Sequence, residues 1–517
     1  MRFFCLRSTI DISLDPTDNR GGWGRIPRAG PLQPELKNEF ENESIRRKTG
    51  KKVGWHRDQK SPLRIYKISK FEEAIFVSSF DTITYMIEAK HVSKLSGEIG
   101  KVATVQGFVQ TLRVQSKIIF LILRDTTGIV QTVVEASAPE AFETAKNLSH
   151  ESVVRITGAV KEAKQAPGGF EIGVSKIEVL SHADPELPIP VVVKGSDEES
   201  DAPLRFDYRF LDLRKPEKAR VMKVWTSLEK GFRTYWDENE FVQLYTPSFM
   251  STPSETGAEV FEVKYFDKKA YLAQSPQFYK QMGIASGLER VFVCGPVFRA
   301  EESFTTRHMT EFTGWDFEMG YIESLADIMD AEEGMIVAGF ERVAKDFPEL
   351  SITIPSRPFP RITMRDAKEI LAKEGIASPE EHDLSPEEER AISEYVKREM
   401  NHEFVFIMEY HKSKSAFYHM RLEDGSDYSR RADLLFRGVE ITTLAQREHR
   451  IEILEAQAKE KGMSLEALAD YLNFFRYGCP PHGGAGIGPG RIIMKLLDLP
   501  NVREATYLPR DVKRLNP

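Results

Sequence analysis

Apolar and polar positions form five strand-like runs in the first half of the chain: Val102–Thr111, Ile118–Arg124, Ile129–Glu135, Val153–Val160 and Phe170–Val179. Turn signals separate them, among them Asp125-Thr126-Thr127-Gly128 and Pro167-Gly168-Gly169. One helical segment, Pro139–Leu148, falls between the third and fourth runs. From Leu211 onward the period changes. Val221, Trp225, Leu228, Phe232 and Tyr235 recur at spacings of three and four and predict one helix face. Phe241-Val242-Gln243-Leu244 reads as a strand closed by Pro247. Further strands are predicted at Val291–Val293, Phe298, Thr313–Met319, Phe404–Glu409, Ala432–Phe436 and Val439–Thr443, and helices at Ile328–Asp346, Pro386–Glu399 and His449–Glu460. Strands separated by irregular helices, without βαβ spacing, predict an α+β domain with an antiparallel sheet flanked by helices.

Five strands with a helix after the third is the plan of an OB-fold, a small barrel that often binds nucleic acid. From pattern alone a generic small β-barrel is the alternative. Residues 1–85 show no sustained period; Gly21-Gly22-Trp23-Gly24, scattered prolines and mixed charge predict a largely disordered extension with some order near Ile65–Ile83. Met86 opens the first patterned region, so the stretch before it is a candidate start-site artefact. Pro185, Pro188, Pro190 and the acidic run Asp197–Asp201 predict an extended hinge without a core of its own. The expected division is an unassigned extension at 1–85, the barrel at 86–181, the hinge at 182–210 and the α+β domain at 211–517.

Composition changes this picture in a few respects. At 41% hydrophobic and 29% charged, the 517-residue chain can bury a large core. A formal charge of −8 is unlike that of a protein that only coats nucleic acid, so any RNA contact must come from local patches. Cys5, Cys294 and Cys479 lie far apart without CxxC spacing, which argues against a zinc site or disulfide framework and fits a reducing cytoplasm. No run of 18 apolar residues predicts a membrane span, no signal-peptide core follows Met1, and Asp11, Asp15 and Asp18 argue against a transit peptide.

Four polar clusters are candidates for chemistry. Phe298–Phe312 carries Arg299, Arg307 and His308 in a loop between two strand-like runs. Arginine offers a planar charged fork that fits phosphate oxygens, although alone such a loop reads better as a salt-bridged hairpin. Gly483-Gly484-Ala485-Gly486-Ile487-Gly488-Pro489-Gly490-Arg491 leads into an apolar helix, Ile492–Leu497. Its glycines permit close backbone approach to a ligand, or simply make a tight strand–helix turn; neither P-loop nor dinucleotide fingerprint is matched. Lys280, in Gln274–Gln281, is a point charge for a small anion or a surface lysine at a helix start. Glu440 and Thr443 offer a carboxylate and a hydroxyl that could share Mg²⁺, with edge-strand polarity as the alternative.

In this order and combination the clusters resemble a class II aminoacyl-tRNA synthetase. The helix and strand ending at Pro247 resemble motif 1, Phe298–Phe312 motif 2 and Gly486–Arg491 motif 3. Ser254-Glu255-Thr256-Gly257, the segment QSPQFYKQ, the pair RAEE and TTRH, the stretch FRYGCPPHGG and the ending PRDVKRLNP resemble aspartyl enzymes of the archaeal/eukaryotic branch. The resemblance runs from about Met86 to Pro517 and leaves 1–85 uncovered.

This resemblance implies that ATP activates L-aspartate, with Mg²⁺ as cofactor, before transfer to tRNA. It places Arg299 on the α-phosphate and the aspartate carboxylate, Glu301 on the adenine amino group and Phe312 against the base. Arg307, His308 and Arg491 would grip the triphosphate, with Ala300, Met309, Gly488, Pro489 and Gly490 beside them. Lys280 and Arg447 would pair with the aspartate side chain, held in place by Asp316, with Phe278 and Tyr279 adjacent. Glu255 and Gln277 would take the ammonium group. Glu440 and Thr443, with help from Asp433, would hold Mg²⁺. Two cations facing the side chain would leave an asparagine with a buried charge uncompensated; asparaginyl relatives also lack the QSPQxxK lysine, so that reading ranks second. Three positions depart from the family. Gly490 stands where motif 3 usually has an acid, Thr443 replaces serine, and Leu444 replaces a glycine and could crowd the aspartate pocket. They keep a catalytically inactive RNA-binding paralogue among the alternatives.

By the same resemblance the OB-fold reads the anticodon, with Phe108, Gln110, Arg113, Phe120 and Arg124 as candidate contacts, one of the two phenylalanines being barrel core. Enzymes strict for tRNA(Asp) resemble one another in carrying Trp and Lys where this chain has Gln110 and Pro167. The expectation is therefore a relaxed enzyme that also charges tRNA(Asn), with a strict one as the alternative. Motif 1 implies a homodimer, and Trp225, Phe232 and Trp236 lie either at that interface or in the intrachain core.

Overall fold

The first strongly alternating stretch closes on itself. A computed structural model describes residues 89–192, 199–253 and 259–517; the expectation of disorder over 1–85 lies outside them. Strands β1 (Val102–Val114), β2 (Ile118–Asp125), β3 (Gly128–Glu135), β4 (Val153–Glu162) and β5 (Phe170–Ser181) form a closed barrel in the order β1-β2-β3-β5-β4. The predicted helix, Pro139–Lys146, follows β3 and packs Phe142 into the barrel core beside Leu121, Leu123 and Ile156. This is the expected OB-fold.

The second part is built on an eight-stranded sheet. Its strands are β6 (Val242–Gln243), β10 (Arg290–Phe298), β11 (Glu311–Gly320), β12 (Arg361–Thr363), β13 (Phe404–His411), β14 (Tyr428–Phe436), β15 (Val439–Arg447) and β16 (His482–Ile487). The order is β12-β13-β14-β15-β16-β11-β10-β6, antiparallel except for parallel pairings at both edges. A small sheet of β7 (Phe249–Met250), β9 (Lys268–Leu272) and β8 (Glu262–Tyr265) was not predicted, nor were the helices Met364–Lys373 and Ala469–Arg476.

Alternation on β11 sets the two faces. Trp315 and Phe317 point back, against Trp225, Phe232 and Phe241. Asp316 and Glu318 point forward, where they meet Lys280. Helices Pro216–Glu238 and Leu325–Asp346 supply the back layer, burying Val224, Leu228, Phe232, Met335 and Phe340. Phe232 and Trp236 are thus intrachain core, and the Trp225 indole donates to the Ala505 carbonyl at 2.6 Å.

One reading is sharpened here and one corrected. The glycine-rich stretch is a strand running into a helix: residues 482–487 form strand β16, between β15 and β11, and the helix Pro489–Leu496 follows. Only glycine fits, since a Cβ on Gly484 would lie 2.0 Å from the Phe317 carbonyl oxygen. The hinge is not coreless. Ile189 and Val191 are buried with Leu211, and residues 202–207 are helical, capped by the Asp201 side chain. Composition misses this because its charges find distant partners: Arg205 pairs with Asp212 and Glu504, and Arg209 donates to the Glu504 and Thr506 carbonyls.

Candidate active site

Sequence alternation on a regular strand would put Glu440 and Thr443 on opposite faces. A β-bulge prevents this. Leu434 pairs with Thr442 but Leu435 with Glu440, so the intervening Ile441 is extra. Both side chains then face one cavity, and the Thr443 hydroxyl donates to Glu440 Oε1 at 3.3 Å.

That cavity, of about 870 Å³, opens in front of β10, β11, β15 and β16. Six arginines and one lysine line it against four carboxylates, so it attracts anions although the whole chain is negative. The 299–310 loop contributes Arg299, Glu301, Arg307, His308 and Met309, and β11 contributes Phe312, with the Arg299 guanidinium 5.5 Å above its ring. Arg307 is held by Glu389 from the Pro386–Met400 helix. Burial, with Arg491 and Arg307 nearby, lowers the His308 imidazole to about 4. Arg491 donates to the Glu440 carbonyl at 2.8 Å. Burial would raise the Glu440 carboxyl, but Arg491, Arg431, Arg307 and Arg299 outweigh it and hold the group low.

At the other end sits a buried ion cluster. Lys280 Nζ is 2.9 Å from Asp316 and 3.4 Å from Glu318, and donates to the Ala485 carbonyl at 3.0 Å. Arg447 Nε meets Glu318 at 2.9 Å, and its Nη2 donates to Gln277 Oε1 at 3.1 Å and to the Gly484 carbonyl at 2.9 Å. Glu318, fully buried, therefore bridges both cations, whereas Asp316 pairs with Lys280. This corrects the expectation that Asp316 holds both. The two cations are also already balanced, as buried charges must be, so they do not wait uncompensated for a substrate carboxylate. Glu318 was missed, although it lies one strand period beyond Asp316.

Other predicted residues sort clearly. Gln277, Asp316, Thr443, Arg447, Gly488 and Gly490 line the cavity, whereas Lys280 lies behind Asp316. Phe278 stacks on Tyr471 in a separate core, and Tyr279, Ala300 and Pro489 do not line the cavity. Asp433 does not either: the Arg431 guanidinium takes both its oxygens, at 2.8 and 3.1 Å. Leu444 points to the back layer between Ala432 and Ala485 and crowds nothing in the cavity. Glu255 lies outside the described residues. The sequence reading also missed Arg431 and His419 in the cavity wall, and the C-terminal segment that braces the 299–310 loop: Arg503 donates to the Thr305 carbonyl and packs over Phe304.

On the barrel, neither phenylalanine is core, contrary to expectation. Phe108 is half-buried under Arg124 and Arg214, whose guanidinium carbons lie 5.5 and 4.3 Å from its ring centre; both arginines pair with Glu151. It belongs to the junction with the residues after the hinge. Phe120 faces outward between Arg113 and Val133 on neighbouring strands. Gln110 takes a long contact from Arg124, at 3.5 Å, and Pro167 opens the turn before β5.

An OB barrel joined to an antiparallel sheet with a cation-lined cavity is the build of a class II tRNA synthetase. Residues 201–512 match the tRNA synthetases class II (D, K and N), and residues 103–180 the OB-fold nucleic acid binding domain. The chain belongs to this class II synthetase family. Among its relatives, the aspartate–tRNA(Asp/Asn) ligase of Aeropyrum pernix is 42% identical over 81% of this chain and 96% of its own length. The aspartate–tRNA(Asp) ligase of Thermococcus kodakarensis is 39% identical over 84% and 100%. The crystal structure of Pyrococcus horikoshii asparaginyl-tRNA synthetase complexed with asparaginyl-adenylate superimposes with a TM-score of 0.77 at 35% identity, covering 84% of this chain and all of that one.

Proposed function

We propose that this chain is an aspartate–tRNA ligase that activates L-aspartate with ATP to aspartyl-adenylate and passes it to the 3′ end of tRNA(Asp) and also tRNA(Asn). The observation that supports this reading is one cavity lined by Arg299, Arg307 and Arg491 and also by Arg447 and Asp316, behind which the Lys280–Glu318–Arg447 cluster is buried. Carboxylate and α-phosphate repel each other. Arg299 at their meeting point offsets that repulsion, and Arg307, His308 and Arg491 fix the triphosphate, so positioning and charge lower the barrier without a protein nucleophile. Phe312 and Glu301 hold the adenine. Selectivity for aspartate rests on the directed N–H donors of Arg447, not on a charge deficit.

Mg²⁺ is the expected cofactor. Glu440 and Thr443 present hard oxygen donors to the cavity, which suits it, and Asp433, paired with Arg431, is not a third ligand. When bound, the ion neutralises phosphate charge. Residues 86–181 serve as the anticodon-binding domain, 182–210 as the linker and 211–517 as the catalytic domain. Phe120 and Arg113 form a stacking and phosphate-binding face on the barrel. Gln110 and Pro167 favour relaxed tRNA choice, and the Aeropyrum relative carries that name. The protein works as a cytoplasmic homodimer; exposed Val242, Tyr245 and Phe249 beside the β6 edge suit such an interface. Among the described residues no helix is long and apolar enough to cross a membrane.

The test is charging of tRNA(Asp) and tRNA(Asn) transcripts with labelled aspartate and ATP-Mg. Both become loaded. Loading of tRNA(Asp) alone removes the relaxed specificity, and loading with asparagine instead of aspartate overturns the substrate.

A further inference from the structure

His419 stands in the cavity wall with no role in the scheme above. Its backbone is tightly fixed: the N–H donates to the Ala416 carbonyl at 3.1 Å, the carbonyl accepts from Gln457 at 3.1 Å, and the residue forms an antiparallel bridge with Arg447. The Tyr418 ring meets the imidazole edge-on at 5.0 Å. The side chain is 5% exposed, yet it lines the cavity beside Arg431 and Arg447. Its Nδ1 is buried with no hydrogen-bond partner among the described residues. Buried polar atoms are nearly always paired, so an orphaned nitrogen on a ring that lines a cavity marks a place for a ligand atom. Burial first, then Arg447 and Arg431, push the imidazole well below its usual range, so it stays neutral at pH 7. A neutral ring near Arg447 and Arg431 adds no charge; it offers a directed hydrogen bond. The cations that act on it are Arg447, which belongs to the buried cluster with Glu318, then Arg431 and Lys461, not Arg299, Arg307 or Arg491.

We propose that His419 is a specificity residue for the amino-acid substrate, its unpartnered ring nitrogen donating a hydrogen bond to the side-chain carboxylate of the aspartate held by Arg447. This rests on the aspartate–tRNA ligase reading. The neutral imidazole completes the donor set around that carboxylate, where a further cation would cost too much to bury.

The experiment compares full-length wild type, His419→Ala and His419→Gln in aspartate-dependent ATP–pyrophosphate exchange. The alanine variant raises KM for aspartate by about tenfold or more, the loss of one hydrogen bond to a charged group, with KM for ATP within about twofold. Glutamine, which keeps a donor, recovers most of the loss. An aspartate KM within about twofold of wild type, or aspartate and ATP KM rising together, overturns the proposal. If His419→Ala fails to fold, ¹⁵N-imidazole spectra of wild type and His419→Gln decide: aspartate alone must shift one ring resonance that the variant lacks, and no such shift is a refutation. Wild type without any aspartate-dependent exchange sinks the ligase reading instead; the spectral arm still tests His419 separately.

Discussion

Replacing Glu318 by glutamine tests the ion cluster most directly. The carboxylate is fully buried, 2.9 Å from Arg447 and 3.4 Å from Lys280, which are themselves buried. Glutamine keeps the volume and one acceptor but removes the one carboxylate that bridges Lys280 and Arg447 among the described residues, leaving Asp316 beside Lys280. Breaking a buried pair by removing one partner costs about 3–5 kcal/mol. The unfolding entropy near Tm is about 2.1 cal/mol/K per residue, so for the synthetase part spanning 201–512 that cost lowers Tm by about 5–8 °C. Scanning calorimetry of the full chain measures it. The pH dependence gives a second check. Burial pushes the Glu318 carboxyl up, but Arg447 and Lys280 push it down further, so its folded pKa lies below the unfolded value, about 4.3. Its stabilisation is fully present above that value and is lost as pH falls through the lower folded one. The gap between wild type and E318Q therefore holds from pH 8 to 5 and closes only below about pH 4. A Tm within about 2 °C of wild type at pH 7, with an unchanged aspartate KM, would refute the bridging role.

Three further outcomes are expected. G484A should cost at least about 3 kcal/mol and give little soluble protein, because its Cβ would collide with the Phe317 carbonyl; a variant that melts with wild type contradicts the strand packing. His308, lowered to about 4, has a folded pKa below its unfolded value of about 6.5. Its contribution to stability is complete above pH 6.5 and is lost as pH falls towards 4, and its ring resonance should not titrate between pH 5.5 and 8; a midpoint near 6.5 would show the site to be wetter than described. D433N should leave the Mg²⁺ concentration for half-maximal exchange within about twofold, whereas E440Q raises it about tenfold; equal effects would make Asp433 a metal ligand after all.

The barrel was legible in the sequence almost to the residue, because a half-buried strand writes its two faces into alternation and its turns into glycine, proline and aspartate. The long back-layer helices were legible for the same local reason: Val221, Leu228 and Phe232 recur at helical spacing because one side is buried. The cavity residues of the three motifs were found by combination and order, since Arg299, Arg307, Glu440 and Arg491 carry little meaning singly. Other features were decided only in three dimensions. Period two puts Asp316 and Glu318 on one face of their strand and Thr443 and Leu444 on opposite faces of theirs, but not which face holds the cavity; packing of the helices on Trp315, Phe317 and Leu444 settled that. A bulge at Ile441, invisible in the pattern, turned Glu440 and Thr443 to the same side. Glycines that read as a turn or a ligand-approach segment became a central strand, where only glycine at 484 lets β16 approach Phe317 so closely. The pairing of buried charges, Glu318 with Lys280 and Arg447 or Asp433 with Arg431, joins residues through space under the demand that no charge be buried alone. Local sequence carries no record of that demand.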